Sequence, residues 1–416
     1  MRYLKKYESL LLFLLIALVI LIRVKVESTH YCTPDSKYYL EVSRNILSGE
    51  GCVGPKVFDY NSETHQLIPL YSETAFGHPD QYRKEFFAVW PLGYPAGIVM
   101  VSKLTTLDPL WASKIVNLLL LALDFYFLYL LFAGTNSFSL YYFGSFTMLE
   151  ICSYTWSENL FLPFFLLMMV CIKKIITTEQ YSVQYILLLT LALAGMCMAR
   201  YASVIFFAVI AGLIFFYYRK KDSIRSYSFL LALTFGSLLI GLYLFNNYLQ
   251  SGYLTGMPRT NTQDFTVGEL ISRFFLGMFN QLHIIKQFRY DGSAELLVYL
   301  FEVLIQLVLT GYLLLLLRKN ILTQPFNWMN KFLVYTGLLY LIFLVYMTFT
   351  STIDPFDYRT LLPFSFPVFI ALLSEIEVRL HQSWQTKGII AVKIFFIFSL
   401  LMNVPKKFLL NLILSS

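Results

Sequence analysis

The sequence predicts an all-α polytopic membrane protein, and three observations carry that prediction. Of 416 residues, 57% are hydrophobic and 14% charged, where a soluble chain carries about 25% charged residues. Apolar runs of membrane-spanning length recur between short polar breaks, at roughly 20 residues per span. The net charge of +7, from 32 basic and 25 acidic residues, is read by its location, because basic residues in short loops set membrane orientation and do not signal nucleic acid. No stretch leaves room for a separate soluble domain, so residues 1–416 read as one transmembrane domain of about 11 helices, within a range of roughly 10 to 13.

Taken in order, Arg2, Lys5 and Lys6 precede an apolar run over 9–26, which places the N-terminus in the cytoplasm. A signal peptide is the alternative, but Arg23 and Lys25 stand where a small-residue cleavage site belongs, which favours a retained helix. Residues 27–108 form the longest polar stretch and the first external loop. Within it, 90–104 is apolar but short and interrupted by Pro91, Gly93, Pro95 and Gly97, which reads as an interfacial or re-entrant helix. Further spans are expected over 109–132, 137–155, 159–176, 183–199, 201–218 and 228–247. A second large external loop, 248–293, follows, and then spans over 294–317, 331–349, 360–373 and 389–402. This parity puts Lys173 with Lys174, Arg219 to Lys221 with Arg225, and Arg318 with Lys319 on the cytoplasmic side. Lys406 and Lys407 then fall outside, against the rule.

The same parity gathers costly polar groups at the external face: Asp35, Glu158, Arg200, the 273–291 stretch, Asp354, Asp357 and Arg359. Ionisable groups at helix ends facing a shared cavity suggest a functional site, while a solvated loop surface is the bland reading. Asp35 follows Pro34 and is expected to cap a helix starting near Ser36 with Tyr39, Val42 and Ile46 on one face. At headgroup height that carboxylate could also take a proton from a hydroxyl. Glu150 precedes Glu158 by eight residues, about 80° around a helix if the two share one. Asp124 lies inside a span and is expected to pair within the bundle.

Cys152, Cys171 and Cys197 belong to spans as small apolar groups, whereas Cys32 and Cys52 bracket the Asp35 helix, where an oxidising compartment permits a disulfide. His65 and His78, with Glu63, Glu73 and Asp80, show no metal-ligand spacing and read as scattered loop residues.

Six motifs in order carry a resemblance: Asp-x-x-Tyr-Tyr at Asp35 with a following Gly-x-Gly turn, WPLGYP, WSENLF, MARY, NNYLQSGYLTG and DYRTLLPFSFP. Together they resemble the C-type (GT-C) integral membrane glycosyltransferases, in particular the protein O-mannosyltransferase and aminoarabinose-transferase-like group, over about residues 7–373. The resemblance implies a many-helix membrane fold in a bacterial inner membrane, a catalytic acid in the first external loop, and a polyprenyl-phosphate sugar donor with its lipid tail between helices. Asp35 matches the catalytic acid and Glu158 the second acidic position. Arg200 matches a basic residue at an outer helix end, and Arg359 the one that commonly precedes Leu-Leu-Pro. Many relatives carry a second acid directly after the first, where this chain has Ser36; no cofactor is assigned, and a divalent metal stays an open alternative.

The implied chemistry explains the residue types. An acceptor hydroxyl loses a proton as it attacks the anomeric carbon, and a placed carboxylate, Asp35, contributes about a hundred- to ten-thousandfold to such a step. The departing phosphate gains charge, which Arg359 first and Arg200 second would stabilise through two-pronged bonds; snorkelling to the headgroups is the alternative. A single in-line displacement inverts the anomeric centre. Glu158 would orient the acceptor or tune the base, unless it only complements a helix N-terminus. Tyr38, Tyr39, Trp90 and Tyr94 could stack on a sugar or line a lipid groove, or form an interfacial aromatic belt. His283, Lys286 and Arg289 could touch donor phosphate or lipid headgroups. Expected partners are the lipid-linked donor, the bilayer, and a lipid, glycan or protein acceptor. A lipid-sugar transporter or flippase, and an envelope polysaccharide polymerase or ligase, are the other readings.

Overall fold

The computed structural model describes residues 2–26, 33–56, 58–61, 66–69, 84–132, 138–178, 182–257, 266–281, 326–350, 356–382 and 386–405, with scattered positions between 300 and 315. Among them the chain is helical apart from two small ribbons in the first loop. The helices are α1 (Arg2–Val26), α2 (Pro34–Leu47), α3 (Gly93–Thr105), α4 (Pro109–Leu131), α5 (Phe138–Tyr141), α6 (Phe146–Ser153), α7 (Glu158–Thr177), α8 (Val183–Ala199), α9 (Ile205–Arg219), α10 (Ser223–Ser251), α11 (Val267–Gln281), α12 (Trp328–Thr350), α13 (Leu362–Gln382) and α14 (Thr386–Met402). The ribbons pair β1 (Val53–Pro55) with β4 (Lys84–Phe86) and β2 (Phe58–Asn61) with β3 (Gln66–Pro69), both antiparallel.

Six helices among the described residues are long and apolar enough to cross a bilayer: Tyr7–Val26, Pro109–Leu131, Glu158–Thr177, Tyr201–Arg219, Ser223–Ser251 and Trp328–Thr350. The chain is thus a polytopic helical membrane protein. The expected spans at 183–199, 360–373 and 389–402 are occupied by α8, α13 and α14, which fall short of that standard. Most of 294–317 lies outside the described residues, as do Cys32, His65, His78, His283, Lys286, Arg289, Arg318, Asp354 and Lys406.

Helix α7 is the hub. Phe161, Phe165, Leu166, Met168, Met169 and Ile172 are all fully enclosed, with α4 and α8 packed along its length. Helix α1 turns one stripe inward, Leu12, Ile16, Ile20 and Val24, and leaves Leu11, Leu14, Leu18 and Leu21 facing out, as expected of a span that meets protein on one side and lipid on the other. Helices α2 and α3 stack on α4, and their shared core holds Tyr38, Tyr39, Val42, Ile98, Val101 and Val116.

One expected span is corrected. Residues 137–155 do not form a single helix: α5 gives way to a short 3₁₀ turn at Tyr142–Gly144, α6 follows, and the backbone is extended at Tyr154 before α7 begins. The segment is buried on all sides, polar residues included: Ser139, Ser145, Thr147, Glu150, Ser153 and Thr155 are each at most 3% exposed. Irregular backbone at membrane depth persists only where protein satisfies it. Here Asn117 Nδ2 donates to the carbonyls of Cys152 (2.9 Å) and Tyr154 (2.7 Å). Lys114 Nζ donates to that of Ser153 (2.7 Å), Asn159 Nδ2 to that of Ile151 (2.7 Å), and the Ser399 hydroxyl to that of Gly144 (2.9 Å). Glu150 therefore shares no helix with Glu158. It pairs instead with the buried Arg23 of α1, whose Nη1 also donates to the Asn403 carbonyl at 3.2 Å. This joins α1, α6 and the end of α14.

Asp124 is also corrected. It is 1% exposed within α4, and its Oδ1 has no hydrogen-bond partner among the described residues, where a pair within the bundle was expected.

Asn117 answers two backbone carbonyls and accepts from the Tyr94 hydroxyl at 2.5 Å. Replacing it with Leu leaves these groups buried and unpaired, at about 1–3 kcal/mol each. Asn117→Leu is expected to lower the unfolding temperature in detergent by several degrees, whereas Thr190→Val, at a hydroxyl with no partner among the described residues, is expected to change it little.

Candidate functional site

The site forms where the starts of α2 and α7, the end of α8 and the turn before α13 meet. Helix α2 begins with Thr33, Pro34 and Asp35. Thr33, not Asp35, is the N-cap: its Oγ1 accepts from the Ser36 amide, Pro34 fills the first helical position, and Asp35 sits in the first turn. Proline suits that position because its missing N–H would be an orphan there anyway, and it moves the start of the helix toward Thr33. The Asp35 carboxylate is thereby free of capping and points elsewhere.

It points at Arg359. Nη1 of Arg359 lies 2.9 Å from Asp35 Oδ2, and its Nε and Nη2 lie 3.1 Å from Oε1 of Glu158 at the head of α7. Arg200, at the end of α8, reaches the same Oε1 at 2.7 Å and donates to the Arg359 carbonyl at 3.3 Å. Helices α7 and α8 are antiparallel neighbours, which brings the start of one beside the end of the other. Glu158 is 1% exposed, and its Oε2 has no hydrogen-bond partner among the described residues. Asp35 is more open, with 25% of its side chain exposed.

The guanidinium of Arg359 lies over the Trp156 ring, 4.1 Å from its centroid. Trp156 in turn stacks on Tyr154 at 4.1 Å and donates its indole N–H to Thr33 Oγ1 at 2.8 Å, so one tryptophan supports Arg359 and ties down the cap of the Asp35 helix. Snorkelling therefore does not describe Arg359 or Arg200: both are turned inward onto carboxylates. Burial works against the Arg359 charge, but Glu158, Asp35 and Asp357 outweigh it and hold the guanidinium pKa above its ordinary value. Arg200 is held up against burial in the same way, chiefly by Glu158. Burial pushes the Asp357 carboxyl above the usual carboxylate range despite Arg359 nearby.

The aromatic candidates separate. Tyr94 is fully enclosed and Tyr39 is 1% exposed. Their hydroxyls go to Asn117 and Ser157, so both are core residues with no ring face open to a sugar. Burial, together with Asp35 and Glu158, raises the Tyr39 phenol well above its ordinary value, which keeps it a donor. Tyr38 is 4% exposed and packs on Trp90 at 5.1 Å; of the four, Trp90 keeps the most open surface.

The remaining motifs lock onto the same region. Tyr243 of α10 accepts from the Leu92 amide at 3.1 Å, and the Tyr201 hydroxyl donates to the Ala88 carbonyl at 2.8 Å while accepting from Asn247 at 3.1 Å. Gly256 has φ +72° and lies so close to the Ala88–Val89 backbone that any side chain would collide with it. Sequence reasoning passed over Trp156, although it is two residues from Glu158 in a quoted motif, and over Thr33. Lys286 and Arg289 lie outside the described residues. Among the described residues no three His, Cys, Asp or Glu side chains gather to hold a metal, and Asp35 and Glu158 both face a guanidinium.

No family model matches the chain, and no curated protein matches it. Among solved structures, it is similar to the crystal structure of ArnT from Cupriavidus metallidurans bound to undecaprenyl phosphate, with 13% identity and a TM-score of 0.49 over 91% of this chain and 61% of that one. The chain thus spans about three fifths of that protein's length.

The exposure difference between the two acids gives unequal stability costs. Glu158→Gln leaves two inward-facing guanidinium groups short of a buried counter-charge and is expected to cost about 3–5 kcal/mol. Asp35→Asn removes a partly solvated pair and is expected to cost about 1 kcal/mol or less. Thermal unfolding of both variants in detergent checks the ordering.

Proposed function

We propose that the chain is a GT-C-type glycosyltransferase that moves one sugar from a polyprenyl-phosphate donor to an acceptor at the external face of the membrane. The observation that carries this reading is the convergence of the motifs: Asp35, Trp156, Glu158, Arg200 and Arg359 join one ion-paired cluster, and Tyr201, next to Arg200 in the chain, ties the 88–92 loop and Asn247 beside it, with Gly256 packed on the same loop. Motifs that lie far apart in sequence have no packing reason to share one cluster of two acids and two arginines unless that cluster has a job.

The cluster also supplies the groups the reaction needs. The acceptor oxygen attacks the anomeric carbon and gives its proton to Asp35. The bond from that carbon to the phosphate oxygen breaks with its electron pair on the phosphate, and Arg359 and Arg200 stabilise the polyprenyl phosphate that leaves. Attack from the opposite face inverts the anomeric centre. The guanidinium groups already hold carboxylates, so donor phosphate has to take Arg359 from one of them. Asp35 is the one to yield, because it holds Arg359 through a single contact and is partly solvated, while Glu158 is enclosed. The exchange would leave Asp35 unpaired, as a base must be.

Orientation follows from charge. Lys173 and Lys174 stand at the far end of α7 from Glu158, about 24 Å away along the helix, and Arg225 joins them there by donating to the Ile175 carbonyl at 3.3 Å. The positive-inside rule then supports an external site, and the resemblance to the GT-C group adds a bacterial inner membrane. A flippase would also show interrupted helices, but the break at 142–157 has its carbonyls taken by Asn117, Lys114, Asn159 and Ser399. That pairing supports an anchoring role for the segment.

The test is release of free polyprenyl phosphate from a panel of polyprenyl-phosphate sugars by purified protein, with membrane extract supplying acceptors. Wild type is expected to release it from at least one donor, and Asp35→Asn, folded as judged by thermal unfolding, to lose about a hundred- to ten-thousandfold in rate. Equal release by both proteins, or release from no donor, would overturn the reading.

A further inference from the structure

The turn that carries Arg359 has to be held, because a guanidinium shared between two carboxylates is placed only as well as its backbone. Buried backbone polar groups need partners, and most of those in this turn find one. The Thr360 amide donates to Asp357 Oδ1 at 2.7 Å, and the Asp357 amide donates to Thr360 Oγ1 at 3.0 Å. The Leu361 amide donates to the Asp357 carbonyl at 3.0 Å, and Arg200 answers the Arg359 carbonyl. The Tyr358 carbonyl is answered from outside the turn, by Gln281 Nε2 at 2.7 Å.

Gln281 ends α11, a helix the proposed chemistry does not use. Thr266 and Glu269 cap its start reciprocally: the Thr266 amide donates to Glu269 Oε2 at 2.9 Å and the Glu269 amide to Thr266 Oγ1 at 3.3 Å. On its inner face Phe274 meets Phe356 and Phe364 edge-on or tilted. At Gly277 a Cβ would lie 2.7 Å from the Phe356 carbonyl oxygen and 2.6 Å from Leu361 Cδ1, so glycine lets the helix backbone rest directly on the Arg359 turn. Gln281 itself is 0% exposed, and its Oε1 accepts from Tyr142 at 3.4 Å. The outer face leaves Val267, Ile271, Phe275 and Leu276 between 52% and 66% exposed.

We infer that α11 is a clamp on the Arg359 turn and that Gln281 and Gly277 are positioning residues for the phosphate-binding guanidinium. This rests on the reading of Arg359 given above. Gln281 acts through its donated bond to the Tyr358 carbonyl, and Gly277 through the close approach that brings Gln281 within reach.

The experiment uses full-length protein in lipid nanodiscs, comparing wild type with Gln281→Leu, Gln281→Glu, Gly277→Val and Tyr142→Phe. Three quantities are read: KM for the donor identified by the release assay, binding of decaprenyl phosphate alone, and hydrogen exchange of the amides in 357–361. Gln281→Glu keeps the shape and, assayed at alkaline pH so that its carboxyl is ionised, loses the donor, so it is expected to behave like Gln281→Leu: KM and the decaprenyl phosphate Kd rise about tenfold, and exchange in 357–361 quickens. Gly277→Val is expected to do the same, and Tyr142→Phe to change none of the three. A loss of apparent kcat with KM and exchange unchanged would mean packing alone and would overturn the inference, as would wild-type behaviour of Gln281→Glu. If wild type neither turns over nor binds decaprenyl phosphate, the transferase reading fails on its own. The clamp is then judged by exchange: quickening in Gln281→Glu but not Tyr142→Phe sustains it, and no difference overturns it.

Discussion

Everything at the external end of the bundle depends on how Arg359 is shared. Its three nitrogens touch Asp35 and Glu158, its ring-facing side rests on Trp156, and its carbonyl accepts from Arg200. A largely buried cation needs counter-charge and good geometry, which α7 supplies through Glu158 and α2 completes through the more open Asp35. That arrangement ties the first helix of the first loop to the most buried helix of the membrane domain. It also explains why Thr33 takes the capping role. A carboxylate used as the cap would have been spent on a backbone amide and turned away from the guanidinium.

The same demand for satisfied polar groups shapes the centre of the bundle. The interrupted stretch from Phe138 to Ser157 turns and extends where a continuous helix would have run, and the orphaned carbonyls are met by Asn117, Lys114 and Asn159. The break has a geometric consequence. It stops α6 at Ser153 and lets α7 begin at Glu158, so Trp156 lies under Arg359 and Glu158 heads the hub helix. A straight helix through this stretch would have wound Trp156 and Glu158 around its axis, with no extended residues to turn them toward Asp35. The buried asparagines and lysine thus act on the site through the backbone they hold.

How much of this was legible depends on what each residue faces. The bounds of α4 and α8 follow the hydropathy closely, because one side of each faces outward, Leu119 and Leu123 on α4 and Leu187 and Leu191 on α8, and the apolar run ends where the membrane does. The stretch 137–155 misled for the opposite reason: it is enclosed by protein all round, and hydropathy cannot distinguish a lipid neighbour from a phenylalanine. Asp35, Glu158, Arg200 and Arg359 were legible as a group because charge near a membrane is costly and these four fell at helix ends of one side. Their pairing was not, since it depends on which helices are neighbours. Tyr39 and Tyr94 were ambiguous in principle: an aromatic with a polar tip suits a sugar platform, an interface or a core with a hydrogen-bond partner equally well, and Ser157 and Asn117 decide for the core. Asp124 is unexplained by its surroundings; nothing among the described residues accounts for a carboxylate at that depth.

The charge balance of the site carries the last step. Two guanidinium groups facing Asp35 and Glu158, with Asp357 adjacent, present no excess positive charge to attract an anion from a distance. Affinity for a phosphate has to come from exchange, in which one carboxylate is released as the phosphate is gained. Such a site favours a ligand delivered by other means, and a lipid tail confined to the bilayer would bring its phosphate to headgroup height without electrostatic steering. The exchange would also couple two events that a transferase must keep in order. On the proposed reading, while Asp35 pairs with Arg359 one of its oxygens is held by the guanidinium, and the carboxylate is turned free for a hydroxyl only once donor phosphate has displaced it. On the proposed reading the ion pair is therefore a safeguard: a hydroxyl that arrives first meets an occupied carboxylate, and activation waits for the sugar.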